Sequence, residues 1–579
     1  MSLTSSQKHY IKKNIKRLSL EKIRRDLDLP EGEVLRYIKT HWPKEKYNSF
    51  IAKNPSNKPF LKDSNFNFKE FIADNINILI MLSLSIFLVY FNAFDNGFVS
   101  DDVQLISKNP RVGDFTFALT QSLVGSVRNI LYFFSFHLGG LNPAFFRVIN
   151  IAFHLGSSFL AFAILNFLTN KKLIAIFASL LFAIHPIMAE SITWISGGPY
   201  SQYGFFLLLS FFLYLISGEN KKIYWVAVLA FAFSLLSSEK SMVFFAILFV
   251  YEISAGKLKD NWKKIIPFFS MSLLLIIMYA ARIGGRIADL ESTTYQDTQS
   301  INLFVQIPIA TSSYLKLIFW PDKLSLYQTE MFFSTFQYII FLSVFFLFLA
   351  FIFYGWKKNK AVFFWLSFFI ITLSPTLTPF KISWIVAERY VYLGSLGIFV
   401  VIALFFNWLI EKYSNRKNII YSVFAILIVL LSARTIVRNM DWQNEDTLWL
   451  ATAKTSPSGQ NIHNNLGDVY GRQKNYEKAV EEFKKAVEIN PNYADAYHNL
   501  GNTYIEMGKI EEALESYQKA VSINPNLWQS YQNIAAIYFE RGNYQKSYEM
   551  IKKAAETNPN DPNIQGNLKI IESKLNSTK

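Results

Sequence analysis

From Ile76 to about residue 436 the chain alternates long apolar runs with short polar connections. The runs are close to the roughly 20 residues a helix needs to cross hydrocarbon. This pattern predicts membrane helices near 76–94, 143–168, 173–189, 202–217, 222–237, 240–255, 264–281, 336–356, 360–378, 390–410 and 417–436. The first run is read as a span and not as a signal peptide, because it begins well into the chain and no small-residue cleavage site follows it. A twelfth apolar stretch, 302–320, differs in carrying Gln306, Pro308, Thr311, Ser312, Ser313 and Lys316.

After residue 440 the period changes. Pro457, Pro491, Pro525 and Pro559 recur at steps of 34, as do Leu466-Gly467, Leu500-Gly501 and Ile534-Ala535. Tyr470, Tyr504 and Tyr538 keep the same step, and so do Ala486, Ala520 and Ala554. Helix–turn–helix units with small residues where helices touch, each stopped by proline, are the tetratricopeptide (TPR) pattern. Repeats are expected at 459–493, 494–527 and 528–561, joined to the membrane by a helix within 441–456. Residues 7–40 predict two short amphipathic helices about a turn at Leu29-Pro30-Glu31-Gly32. These suggest either a helix-turn-helix or a small basic cap near anionic lipid. The fold class is therefore all-α: a head over 1–60, a polytopic membrane domain over 61–440 and a TPR solenoid over 441–579.

Composition narrows the function. Hydrophobic residues make up 51% and charged residues 17%, with 55 Phe and no Cys. A disordered chain, a disulfide scaffold and a cysteine-ligated metal protein are excluded. The net charge of +15 first suggests nucleic acid, but its distribution points to topology. Residues 1–60 hold 14 Lys+Arg against 6 Asp+Glu, and residues 441–579 hold 15 against 18, which leaves +10 in the middle. If 302–320 does not cross, the connections holding Lys171–Lys172, Lys221–Lys222, Lys257 to Lys264, Lys357 to Lys360 and Lys412 to Lys417 all share the side of the basic head. That arrangement satisfies the positive-inside rule. Eleven spans are expected, with the head in the cytoplasm and the repeats in periplasm or lumen. A bacterial inner membrane is the expected setting, or the ER membrane in a eukaryote.

In that topology the charges at the outer ends of the spans converge on one face: Asp101 and Asp102, His185 and Glu190, Glu239 and Lys240, Arg282, and Glu388 and Arg389. Each also has an ordinary reading as a loop cap, ion pair or interfacial anchor. Ionisable groups at membrane depth are costly and therefore mark candidate function. Acids facing cations suit glycosyl transfer from a lipid phosphate. A carboxylate would take the acceptor's proton, and Arg or Lys would stabilise the leaving phosphate. No glycine-rich phosphate loop and no metal-ligand spacing is evident, so no metal or cofactor is assigned and a divalent-ion requirement stays open.

The stretches FVSDDVQLISKNPRV, FHLGGLNPAFFRVINIAFHL, LFAIHPIMAESITWISG, LLSSEKSM and VAERYVYLGSLG, followed by TPRs, resemble the transmembrane-and-TPR O-mannosyltransferases of the GT-C class. The resemblance covers about 76–560. It implies a polyprenyl-phosphate sugar as donor and a protein hydroxyl as acceptor. It also implies one of Asp101 and Asp102 as general base, and Arg389, with Lys240 and Arg282, at the lipid phosphate. Glu388, Glu239, His185 and Glu190 would support them. The implied partners are the lipid-linked sugar, a protein acceptor on the TPR surface and membrane lipids, with no nucleic acid. Three departures stand out: Gly197-Gly198-Pro199-Tyr200 where Gly-Arg-acid is usual, Ser237-Ser238-Glu239 with Lys240 displaced by one, and Gly394 in place of Pro. The alternatives are a non-enzymatic TPR membrane scaffold and an enzyme that moves whole lipid-linked oligosaccharides.

Overall fold

The computed structural model describes the chain except residues 1–2, 16–22, 24–25, 28, 30–32, 44–65, 282–302, 327, 329–332, 378–385 and 578–579. Among the described residues all regular structure is helical. In the head, helices Ser5–Asn14 and Glu33–His41 share a small core of Ile11, Ile15, Ile23, Val34 and Ile38. Pro30, Glu31 and Gly32 of the expected turn lie outside the described residues.

Each of the eleven expected runs contains helix, and asparagine starts several of them. Asn67, Asn142, Asn220 and Asn359 cap the helices Phe68–Tyr90, Pro143–Thr169, Lys221–Ser237 and Lys360–Leu373 by accepting first-turn N–H groups. Seven helices are long and apolar enough to cross a membrane, or eight if the pair Lys172–Ile184 and Pro186–Ile192, bent by 52°, is one span. Length and composition alone set this number, and each of the other expected runs is helical as well. The segments Lys221–Ser237, Phe244–Ala255 and Lys360–Leu373 are helical but shorter. Short 3-10 turns at Glu239–Val243 and Ser374–Thr376 adjoin these helices. The chain is an integral membrane protein built around Ile195–Ser217, whose most apolar window is 61% buried. Thr335–Lys358 lies at the rim with 6% buried and shows Phe346, Leu347 and Phe353 outward, as lipid requires.

Hydrogen bonds sort the two ends of the bundle. At one end Lys171 pairs with Glu411, Lys172 Nζ donates to the Asp74 carbonyl and Lys264 Nζ to the Gly218 carbonyl. These are the basic connections. At the other end Asn96 Nδ2 donates to Asn439 O (2.8 Å), and Gly97 N to Gln443 O (2.9 Å). The TPR array leaves from this second end through helix Glu445–Thr455. Leu303–Phe319 stays in the same half. Tyr338, near the start of Thr335–Lys358, donates to Phe304 O (3.2 Å), and Ile318 O lies 2.9 Å from His185 Nε2.

The helices approach closely where glycine permits. A Cβ on Gly397 would lie 2.3 Å from the Trp365 carbonyl oxygen, so Ser395–Lys412 and Lys360–Leu373 touch backbone to side-chain root. Gly397→Ala is expected to force them apart at about 1–3 kcal/mol, read as a lower unfolding midpoint in detergent. An unchanged midpoint would contradict this contact. In the array the helix pairs Gln460–Arg472 with Tyr476–Ile489, Ala494–Glu506 with Ile510–Ile523, and Trp528–Glu540 with Tyr544–Thr557 follow the expected repeats. Gly467 and Gly501 meet Phe483 and Tyr517 there.

Candidate active site

At the repeat-bearing end, four segments close around one another: the loop after Phe68–Tyr90, the bent segment 185–198, the turn Glu239–Val243 and the turn Glu388–Val391. Arg147, near the start of Pro143–Thr169, holds the first two. It is fully buried, and its Nε donates to Thr193 O (2.7 Å), Nη1 to Asn96 O (2.8 Å) and Nη2 to Gly97 O (3.0 Å). Asn439 extends the tie. Its Nδ2 donates to Val89 O (2.7 Å), and its Oδ1 accepts the Thr193 hydroxyl (2.7 Å).

The two aspartates part company on this frame. Asp102 is fully buried, and its carboxylate accepts from Ser196 N (2.7 Å), from the Ser196 hydroxyl and from Val99 N (3.3 Å). Burial pushes its pKa up to about 7 against those hydrogen bonds and the nearby charge of Arg147. Asp101 is exposed, and its carboxylate makes no hydrogen bond among the described residues. Partial desolvation raises its pKa, while Arg389 and Arg128 stand near enough to hold it back.

Opposite lies a cationic pair in an aromatic setting. Arg389 forms an ion pair through Nη1 with the buried Glu190, which also accepts Arg389 N (2.7 Å). Its guanidinium carbon is 5.5 Å from the Trp194 ring centre and 5.0 Å from that of Tyr390. Lys240 Nζ lies 3.7 Å from the Tyr390 centre and 5.3 Å from that of Tyr200. Glu239 is half-buried and within electrostatic reach of Tyr200 and Tyr203. The structure thus brings Asp101, Asp102, Glu190, Glu239, Lys240 and Arg389 to one end of the bundle.

Two expected members stand apart. His185 is buried, with Nε2 on the Ile318 carbonyl and Nδ1 accepting Ile187 N, so it fastens the bend at Pro186. Glu388 is buried in a two-point pair with Arg438, whose Nη2 is 2.9 Å from Oε1 and Nε 3.4 Å from Oε2. Arg438 also reaches Asp441 at 2.9 Å. That pair anchors the Glu-Arg-Tyr turn to helix Lys417–Asp441. Arg282 lies outside the described residues. Among the described residues no group of three His, Asp or Glu could hold a metal ion.

Sequence reasoning did not single out Arg147, Arg438, Arg128 or Ser196. An arginine inside AFFRVINIAF or ARTIVRN is costly in an apolar run unless it is fully bonded, and that was the available signal. The Gly197-Gly198 departure has a steric cause: Cβ atoms there would lie 2.2 Å from Glu190 O and 2.1 Å from Asn150 Oδ1. Gly198→Arg is expected to cost at least about 2 kcal/mol and to free the Asn150 amide from the carbonyls of Trp194 and Ile195, both now at 3.2 Å. Thermal unfolding checks it, and an unshifted midpoint would contradict the crowding.

Tetratricopeptide repeat models match residues 460–526 and 507–569. The human protein O-mannosyl-transferase TMTC3 is 25% identical over 70% of this chain and 50% of its own length. Protein O-mannosyl-transferase F38B6.6 of Caenorhabditis elegans is 24% identical over 72% and 63%. Over a shorter region, 22% of this chain and 14% of the relative, Drosophila melanogaster Tmtc2 is 31% identical. The chain spans about half the length of the first of these curated relatives. Membrane helices, the repeats behind them and this extended similarity agree, and over about 70% of its length the chain is similar to proteins named protein O-mannosyl-transferase.

Proposed function

We propose that the protein is an integral-membrane glycosyltransferase that moves mannose from a polyprenyl-phosphate carrier to a hydroxyl of a protein acceptor. The observation that carries this reading is an exposed carboxylate, Asp101, within electrostatic reach of Arg389 at the repeat-bearing end of the bundle. The relatives' names supply the sugar and the acceptor class.

In this reading the acceptor oxygen attacks the anomeric carbon as Asp101 takes the hydroxyl proton. The bond from that carbon to the phosphate oxygen breaks with its electron pair, and the configuration inverts. Arg389 and Lys240 stabilise the charge on the departing lipid phosphate. Glu190 holds Arg389 in place, and Asp102 fixes the Asp101 backbone against Ser196. The aromatic walls of Tyr200, Tyr390 and Trp194 leave a low-dielectric setting in which those charges act strongly.

The test is purified protein in lipid with polyprenyl-phosphate mannose and an unstructured Ser/Thr-rich acceptor peptide. Mannosylated peptide with inverted configuration is expected. Folded protein that transfers a whole oligosaccharide instead, or transfers nothing, would overturn the reading.

A further inference from the structure

The segment that presents Asp101 is held residue by residue, and part of the hold comes from the repeat side. Gly97 N donates to Gln443 O (2.9 Å), just before the joining helix Glu445–Thr455. Val99 is fully buried in an apolar core shared with Trp194 of the bundle, with Trp442 and Leu448, and with Ile462 and Leu466 of the first repeat. Asp102 turns inward onto Ser196. Between Val99 and Asp101 stands Ser100, whose N–H donates to Glu445 Oε1 (2.5 Å), while Glu445 Oε2 accepts Trp449 Nε1 (2.6 Å). Of residues 97–102, Asp101 alone is exposed.

Ser100 has a φ of 54°, in the left-handed region that residues other than glycine seldom adopt. Two successive turns close around it, with Asp102 N donating to Val99 O (3.1 Å) and Val103 N to Ser100 O (3.1 Å). Strain of this kind persists only where the surroundings hold it. Here the holder of the Ser100 amide is a single carboxylate on the joining helix. Released, Ser100 would return to negative φ, and Asp101, the next residue along the backbone, would swing with it.

We propose that Glu445 is a positioning residue for transfer: it keeps Ser100 in the left-handed conformation and so keeps Asp101 aimed at the acceptor. Glu445 touches no reacting atom in this scheme and acts through the Ser100 backbone. Its helix packs on the first repeat through Leu448 and Ile462, so the seat of the array is felt at the carboxylate that takes the proton. The link to transfer rests on the transferase reading above; the pinning of Ser100 does not.

The test uses the full-length protein in lipid. Glu445→Gln keeps the shape, but its amide has one oxygen for two donors and turns N–H toward the other. The variant is expected to lower kcat at least about tenfold. The KM for polyprenyl-phosphate mannose should stay nearly unchanged, because Lys240 and Arg389 stand on other turns. Hydrogen exchange at the Asp102 and Val103 amides should quicken at least about tenfold in the same variant. Glu445→Asp keeps an acid in the first helical turn but shortens its reach, and should behave alike even if the glutamine variant folds poorly. Adding Ser100→Gly to either variant should restore both rate and protection, because glycine adopts positive φ without a holder. A merely structural loss in the joining helix would not be cured at residue 100. Glu511→Gln, exposed and paired with Arg541 farther along the array, is the control. In a protein that transfers sugar, an unchanged rate in Glu445→Gln would overturn the proposal. Unchanged exchange, or a loss that Ser100→Gly leaves in place, would overturn it in any case. Exchange that quickens and is cured by glycine, in a protein that transfers no sugar, keeps the pin and removes the transferase reading.

Discussion

Asp101→Asn is expected to lower sugar transfer by about 10²- to 10⁴-fold, the span typical of a lost general base, with the unfolding midpoint almost unmoved. Asp101 is exposed and its carboxylate makes no hydrogen bond among the described residues, so the fold loses nothing when the charge goes. Asp102→Asn should behave differently. Its carboxylate receives donors from Ser196 and Val99, and an amide would turn N–H toward one of them. A cost of about 1–3 kcal/mol follows from the mismatch, and activity falls with the loop's position. Transfer assays and thermal unfolding on the two variants separate the roles. Equal loss of both quantities in both variants, or full activity in Asp101→Asn, would remove Asp101 as the base.

The pH dependence carries signs that can be checked beside it. A base must be ionised, so the rate falls as pH drops through the pKa of Asp101, which desolvation raises and Arg128 and Arg389 restrain. Arg128→Gln removes part of that restraint and should move the acid limb to higher pH. Asp102 holds its proton more tightly folded than unfolded, with a pKa near 7 against an ordinary value near 4. Its contribution to stability is therefore present at low pH and declines as pH rises toward 7. Asp102→Asn should flatten that decline and leave the acid limb of the rate in place.

What could be read in advance follows from which interactions leave a periodic trace. Apolar runs and the step of 34 report one residue's environment at a time, and the helices and repeats appear where those periods lie. Span ends were less legible: the run expected from residue 240 becomes α-helix only at Phe244, after the 3-10 turn Glu239–Val243. Within the site, charge at the span ends marked Asp101, Arg389 and Lys240. It could not tell an exposed carboxylate from a buried anchor: Glu388 faces Arg438 across 50 residues of sequence, and Asp102 faces Ser196 across 94. Such pairings are set by tertiary approach alone. The Gly197-Gly198 departure likewise reads as missing chemistry in sequence and as a packing need in structure.

Arg147 is where the fold and the site are expected to fail together. Its guanidinium satisfies three buried carbonyls at 2.7–3.0 Å, on Thr193, Asn96 and Gly97, and so ties the loop bearing both aspartates to the segment bearing Glu190 and Ser196. Arg147→Met keeps much of the apolar stem but strands those oxygens. Each unpaired buried carbonyl costs about 1–3 kcal/mol, so a total loss of at least about 3 kcal/mol is expected. Arg147→Lys should recover little, because a single ammonium cannot reproduce the planar fork that reaches three acceptors. Two measurements identify the cause: the unfolding midpoint in lipid, and limited proteolysis of residues 91–102, which should become accessible in both variants. Activity would fall with them, and in Asp101→Asn it would fall without them. If Arg147→Met keeps both the midpoint and a protected loop, the three carbonyls find other donors and the site's position depends instead on Asn439, whose side chain bonds Val89, Asn92 and Thr193 from the far helix.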